Sequence, residues 1–395
     1  MRILCLTSRL PYPPDRGDRL RAFHVLRTLS AEHELTLLSF VEAAGEHRHV
    51  EQLRAICRDV RVVERGRAAS LRSALANAWR SQPLQVSYYR SAAMRSLVAE
   101  TLRTGAFDLA YIHLFRMVPY LPPGCVPYRI VDLTDVISSE VHRSLRHRRL
   151  PSRAVWAVEG RRIDQFERLA SAAADEVWLI SERERAILAG RCPAARIEVV
   201  PNGVDLERFH PGACDEDPRS LLLTGHLGVL HNVDAAIHLV EDVLPLVRQE
   251  VPDCRLRLVG TDPSAAVRRL ASRPGVEVTG WVADLNLELN RAAVFVAPLR
   301  FSAGVQNKLL EAMAAGRPVV TSPHVAAGIG AAPGRDLLVA DDARATARFV
   351  VDLLADPGLR RRIGEAGRDF VRERFSWRGV AERVREIAHR LAAAD

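Results

Sequence analysis

Apolar residues in this chain come in short, nearly unbroken runs separated by longer stretches with helical periodicity. Arg2 to Ser8, Glu34 to Phe40, Val60 to Glu64, Asp108 to His113, Arg129 to Asp132, Glu176 to Ile180 and Ile197 to Val200 each read as a buried strand. Helices are expected over about Asp18 to Ala31, His47 to Cys57, Ala68 to Arg103 and a long basic stretch from Ile137 to Ala173. Pro201 to Pro211 (PNGVDLERFHP) breaks this pattern with turn residues and reads as a linker. The same grammar then restarts. Strands fall at Ser220 to Thr224, Arg255 to Val259, Val276 to Thr279, Val294 to Leu299 and Pro318 to Ser322. Helices fit Val233 to Glu250, Ser264 to Ala271 and Gly304 to Ala315, with further amphipathic helices after Ala343. The alternation predicts an α/β protein of two doubly wound parallel sheets, one in residues 1–200 and one in residues 201–376.

The most informative stretch runs from Val294 to Ser322, VFVAPLRFSAGVQNKLLEAMAAGRPVVTS. On a helix from Gly304, the residues Gly304, Lys308 and Glu311 share one face, and Val305, Leu309, Ala312 and Met313 form a core stripe. The free N–H groups at such a helix start bind anions, and glycine lets a ligand approach the backbone. A rise of about 1.5 Å per residue separates Gly304 from Glu311 by roughly 10 Å, the reach from a diphosphate to a ribose diol. On residues alone, an exposed i,i+3 pair of Lys308 with Glu311 accounts for the pattern equally well.

Composition narrows the class. At 395 residues and 48% hydrophobic, the chain suits a globular protein of two domains. It has no run of apolar residues long enough for a membrane span, and MRILCLTSRL reads as a strand, not a signal peptide. Six scattered cysteines without a CxxC pair read as free thiols in a reducing cytoplasm, so neither a disulfide framework nor a zinc site is expected. The net charge of +8 favours anionic partners, and no motif points to nucleic acid. The first unit lacks GxGxxG, which argues against an ordinary NAD site.

The segment GVQNKLLEAMAAGRPVV closely resembles the donor-binding stretch of family 4 glycosyltransferases. RLPYPPDRGDRLRAFH, RIVDLTDV, VPNGVD, HNVDA, VTGWVADL and PGRDLLVADD extend the resemblance over nearly the whole chain. It is most similar to bacterial sugar transferases of exopolysaccharide and PEP-CTERM/exosortase gene clusters. The resemblance implies the GT-B fold, with a C-terminal helix from about 377 to 395 returning to the first domain. It also implies transfer of a sugar from a UDP- or GDP-linked donor to an acceptor hydroxyl, with retention and without a metal or further cofactor. The acceptor would be a lipid-linked molecule or a growing glycan, met in the cytoplasm or at the inner face of the membrane.

The resemblance assigns donor-binding roles to Arg16, Gly225, His226, His231, Ala303, Gly304, Val305, Gln306, Lys308 and Glu311. It places Gly17, His113 and Lys308 at the reaction centre and Asp132 and Asp135 on the acceptor side. Plainer readings stay open: Gly17 as a helix-start glycine, His113 as structural, Asp135 as a helix cap, and Arg19 and Arg21 as solvated charges. The basic run from His142 to Arg162 is either a solvated face or a surface that docks on anionic lipid. Two departures stand out. Ala303 occupies the position where many relatives have an acidic residue, and His226 and His231 replace an Arg and a Lys, leaving Lys308 to supply the positive charge. A sugar-nucleotide epimerase of the same architecture and a non-catalytic donor-binding protein are therefore the alternatives.

Overall fold

The computed structural model describes the chain except residues 16, 43, 78–80, 148–149, 302–303 and 394–395. It forms two units, residues 1–201 with 380–395, and residues 202–379. In the first unit β1 (Arg2–Thr7), β2 (Glu34–Val41), β3 (Asp59–Glu64), β4 (Leu109–His113), β5 (Tyr128–Thr134), β6 (Glu176–Leu179) and β7 (Ile197–Val199) form one sheet. Their order is β3-β2-β1-β4-β5-β6-β7, and all pair in parallel. In the second unit β8 (Asp217–Thr224), β9 (Arg255–Val259), β10 (Val276–Gly280), β11 (Ala292–Ala297), β12 (Val319–Thr321) and β13 (Leu338–Val339) pair in the order β10-β9-β8-β11-β12-β13. The central strands are buried along most of their length, so both sides of each strand are apolar and the runs are continuous.

Each sheet reverses its direction of growth once, between β1 and β4 and between β8 and β11. The loops leaving the carboxyl ends of such strands form a crevice where open α/β sheets bind ligands. Gly225 and the helix Asn307–Ala314 follow β8 and β11, and Ser8 and His113 lie at the corresponding ends of β1 and β4.

Several elements depart from the periodicity. The basic stretch is not one helix: Ile137–Ser144 ends, and a second helix, Ser152–Ala172, starts after Pro151. Proline has no N–H to donate and its ring clashes with the preceding turn, so it opens a helix rather than continuing one. The helix after β8 begins at Leu230, and the helix after β11 begins at Asn307 instead of Gly304. Segment 202–210 is packed into the second unit. Val204 N–H donates to the Phe375 carbonyl at 2.7 Å, Phe209 is buried, and a Cβ on Gly203 would press into the Trp377 ring.

Candidate active site

In the second unit the site is built around Lys308. Gln306 is the N-cap of the helix Asn307–Ala314 and Lys308 lies in its first turn, where backbone N–H groups lack carbonyls from a preceding turn. The helix is nearly all core: Leu309, Leu310, Ala312, Met313 and Ala314 are buried, and Val305 is buried just before it. Lys308 is itself only 8% exposed and donates to Asn232 Oδ1. The Asn232 carboxamide is oriented in turn by its Nδ2, which donates to the His226 carbonyl at 3.0 Å. Gly225 completes the cradle: a Cβ there would stand 3.0 Å from Asn232 Nδ2 and 3.2 Å from Lys308 Nζ. Burial pushes the Lys308 amine down to about 8, with Glu311 pulling the other way.

Glu311 lies one turn beyond Lys308, half-buried. Burial raises its carboxyl above the usual range, opposed by Arg208 and Lys308. Among the described residues its carboxylate has no hydrogen-bond or ion-pair partner, so Lys308 and Glu311 do not form a surface pair. A half-buried carboxylate with no partner among the described residues is open to hydrogen-bond donors reaching it from solvent.

Gly304 is not on the helix face. It is buried in the preceding loop at φ 50°, a left-handed conformation natural to glycine, so the straight-helix distance to Glu311 does not apply. His226 is also engaged. Its Nδ1 accepts from Gly228 N–H at 3.2 Å and its Nε2 faces Asp262 at 3.2 Å, so the ring is turned toward the loop after β9. His231 occupies the first turn of Leu230–His238. Arg16 and Ala303 lie outside the described residues.

In the first unit, Gly17 is exposed and opens the helix Gly17–Leu29. His113 ends β4 and is 2% exposed, with its Nε2 buried and without a partner among the described residues. Burial pushes its pKa down to about 4 against the pull of Asp132 and Asp18, so the ring is neutral.

Asp132 and Arg21 overturn their sequence readings together. Asp132 is fully buried and accepts from Arg21 Nε at 2.7 Å, Tyr111 Oη at 2.6 Å and Thr134 N at 3.0 Å. Arg21, also fully buried, donates on to the Val200 carbonyl at 2.6 Å. The pair ties the first helix to β5 and to the chain leaving β7, and Asp132, with no exposed surface, is turned to these internal partners. Thr134 sits at φ 67°, strained for a β-branched residue, and its N–H and hydroxyl both bind Asp132. Arg19 is likewise buried, paired with Glu46.

Asp135 does not cap the next helix. The N-cap is Val136, and the N–H groups of Val136 and Ser138 are bound by Glu184 and Glu167 at 2.8 and 3.1 Å. Asp135 Oδ1 is buried with no partner among the described residues, and burial with Glu184 and Glu140 holds the carboxyl well above the usual range. Sequence reasoning missed Asn232, although HNVDA contains it, because nothing in the pattern shows that it meets Lys308 across 76 residues.

Residues 218–356 match the family described as Glycosyl transferases group 1. Alpha-maltose-1-phosphate synthase of Mycolicibacterium smegmatis is 33% identical over 262 residues, 58% of this chain and 66% of that protein. The GDP-mannose-dependent alpha-(1-6)-phosphatidylinositol monomannoside mannosyltransferase of the same organism is 32% identical over 239 residues, 54% of this chain and 62% of its own. The matched span therefore covers less than two thirds of the length of these relatives. Sucrose-phosphate synthase from Thermosynechococcus elongatus superposes with a TM-score of 0.72 at 18% identity, covering 100% of both chains. Anabaena HepE in complex with UDP and glucose gives 0.65 at 15% identity, covering 98% of this chain and 99% of that one. Two parallel α/β units of seven and six strands with these likenesses give the chain the GT-B fold.

Proposed function

We propose that this protein is a glycosyltransferase that moves a sugar from a UDP- or GDP-linked donor to an acceptor hydroxyl with retention. The observation that carries the reading is the buried Lys308 amine, fixed by Asn232 beside Gly225 at a helix start, with an unpartnered Glu311 one turn on. The donor diphosphate would sit against Lys308 and the helix N–H groups, and Glu311 would accept from the two ribose hydroxyls. As the sugar C1–O bond to phosphate breaks, Lys308 and the helix start stabilise the departing charge without a metal. The acceptor oxygen forms its bond to C1 on the same face, and its proton passes to the phosphate oxygen that leaves. On the first unit, the roles we assign by resemblance are sugar contact for His113 and Gly17 and acceptor contact for Asp135.

Calorimetry with UDP and GDP tests the donor site. Wild type should bind one of them. Glu311→Ala, still folded, should lose about 1.5–3 kcal/mol, the worth of hydrogen bonds to a charged group. Unchanged affinity removes Glu311 from the site. Failure of both nucleotides to bind sinks the donor reading, and formation of an epimer or free sugar from the corresponding nucleotide sugar without transfer replaces it with an epimerase or a hydrolase.

The place of the reaction would be polysaccharide or glycoconjugate synthesis at the inner face of a membrane. Among the described residues no helix is long and apolar enough to cross one. Contact is instead assigned to the start of Ser152–Ala172, where Leu150 and Val155 are 78% and 58% exposed beside exposed Arg146 and Arg153. Each basic residue near anionic lipid contributes about 1 kcal/mol, screened over roughly 8 Å in physiological salt. Arg146→Gln with Arg153→Gln should weaken cosedimentation with phosphatidylserine vesicles several-fold. Equal binding before and after the change would show a solvated face.

A further inference from the structure

The loops after β1, β3 and β4 of the first sheet carry three arginines that the donor site does not use. Arg9 follows β1, Arg65 follows β3 and Arg116 follows β4. The guanidinium carbons of Arg65 and Arg116 lie 4.1 and 4.7 Å from the centroid of the same ring, Tyr89. Glu42 accepts from both Arg9, at 3.3 Å, and Arg65. Asp18 accepts from Arg9 Nη1 at 3.0 Å. Three cations thus share one patch with two carboxylates, while the neighbouring Glu46 and Asp15 pair with Arg19. Burial lowers the Arg116 pKa, and the charges of Arg9 and Arg65 add to the effect.

The N–H inventory shows what is left over. Arg116 donates from Nε to Ser8 Oγ at 3.0 Å and from Nη1 to Gln85 Oε1 at 3.1 Å. Its Nη2 is 3.9 Å from Asp18 Oδ2, beyond hydrogen-bonding distance. Arg9 uses Nε and Nη1. Among the described residues neither Nη2 has an acceptor, and the side chains keep 29% and 11% exposure, so a solute can reach them. Asp18 Oδ2 is 3.0 Å from Arg9 Nη1 and 3.9 Å from Arg116 Nη2, so the two guanidinium groups converge on one carboxylate oxygen. Arginine forks match carboxylate and phosphate geometry, and the crevice at a switch point is where such a solute collects.

We infer that Arg9 and Arg116 form a subsite for an oxyanion, a phosphate ester or a carboxylate, carried by the acceptor. The word acceptor rests on the transferase reading; the anion site itself stands on the arginines. It narrows the acceptor to an acidic molecule, a sugar phosphate or lipid phosphate on one side or a uronic acid on the other.

The test is direct titration of the full chain with inorganic phosphate, with glucuronate and with neutral glucose, in the presence of saturating nucleoside diphosphate. Phosphate or glucuronate should bind more tightly than glucose, and the stronger of the two identifies the anion. Arg9→Gln should weaken that binding at least tenfold. Asp18→Asn, which removes the competing carboxylate, should tighten it. Should Arg9→Gln fail to fold, Arg9→Lys keeps the charge, loses the fork and should still bind several-fold more weakly. Equal affinity in wild type and the Arg9 variant, or no preference for either anion over glucose, overturns the subsite. Arg9-dependent anion binding in a chain that binds neither UDP nor GDP would sink the transferase reading and leave the subsite standing.

Discussion

Lys308 shows how one side chain converts burial into a pH response. Its amine stands at about 8 because the interior disfavours charge. A bound diphosphate favours the ammonium form and raises that value, so binding must take up a proton wherever the free amine is neutral. The sign follows. Donor affinity should be full below pH 8 and decline as pH rises from the free-state value toward the higher value in the complex. Calorimetry in buffers of different ionisation enthalpy at about pH 8.5 reads the uptake, where the ligand phosphates are already ionised. Lys308→Met should abolish it, and equal uptake in wild type and variant would remove Lys308 from the phosphates. The resemblance puts His226 and His231 where relatives have cations, but the His226 ring is already bound to Gly228 and Asp262. Lys308 and Glu311 were legible because they share one helix face beside an apolar stripe. Arg21 and Asp132 were not, since a charge on a predicted helix or strand end looks the same whether water or a buried partner meets it.

At the scale of elements, the close approach of the loops after β8 and β9 holds the Lys308 cradle. Gly260 has φ 156° and packs so near Gly225 that a Cβ would overlap the Gly225 carbonyl oxygen. Gly260→Ala must therefore part the two loops, and overpacking of this kind costs about 3 kcal/mol. Urea unfolding should register the loss, and the folded fraction should bind nucleoside diphosphate more weakly because Gly225 borders Lys308 Nζ. An unchanged urea midpoint would show that the loops part freely. The strands were the legible part of these units. A parallel strand covered on both faces has no polar side, so β1 emerges within one residue of the limits its apolar run suggests. Helices with polar buried faces were harder. Leu285–Arg291 reads LNLELNR, with the period of a strand, yet it is a helix capped by Asp284. Its Asn286 and Asn290 turn inward to bind His210 N and Gly212 N at 3.1 and 2.8 Å. Strand β13 has two residues, too few for any period to show.

For the molecule as a whole, the first unit is discontinuous: residues 380–395 belong with residues 1–201. The helix Trp377–Ala392 buries Val380, Val384, Ile387, Ala388 and Leu391, and lines a small apolar space with Ile3, Leu29, Leu109, Ile130 and Trp178. Four large apolar side chains, at about 1.5–3 kcal/mol each, contribute at most about 6–12 kcal/mol, comparable to the net stability of a whole domain. Polar ties add to this. Glu198 accepts from Arg383 at 2.6 Å and Arg390 at 2.8 Å, and the fully buried Glu176 pairs with Arg390. Without the helix, β1 and β4 would face water on one side and Glu176 would lose a cation. A chain ending at Gly379 retains Trp377 against Gly203 and with it the whole of the second unit. In that chain, amide hydrogen exchange should show β1, β4 and β5 losing protection by several orders of magnitude, while β8 and β11 keep theirs. Nucleoside diphosphate affinity should survive, because every residue of the Lys308 cradle lies in residues 202–379. Undiminished protection in β1 and β4 would mean that the first unit folds from residues 1–201 alone and that the returning helix only decorates it.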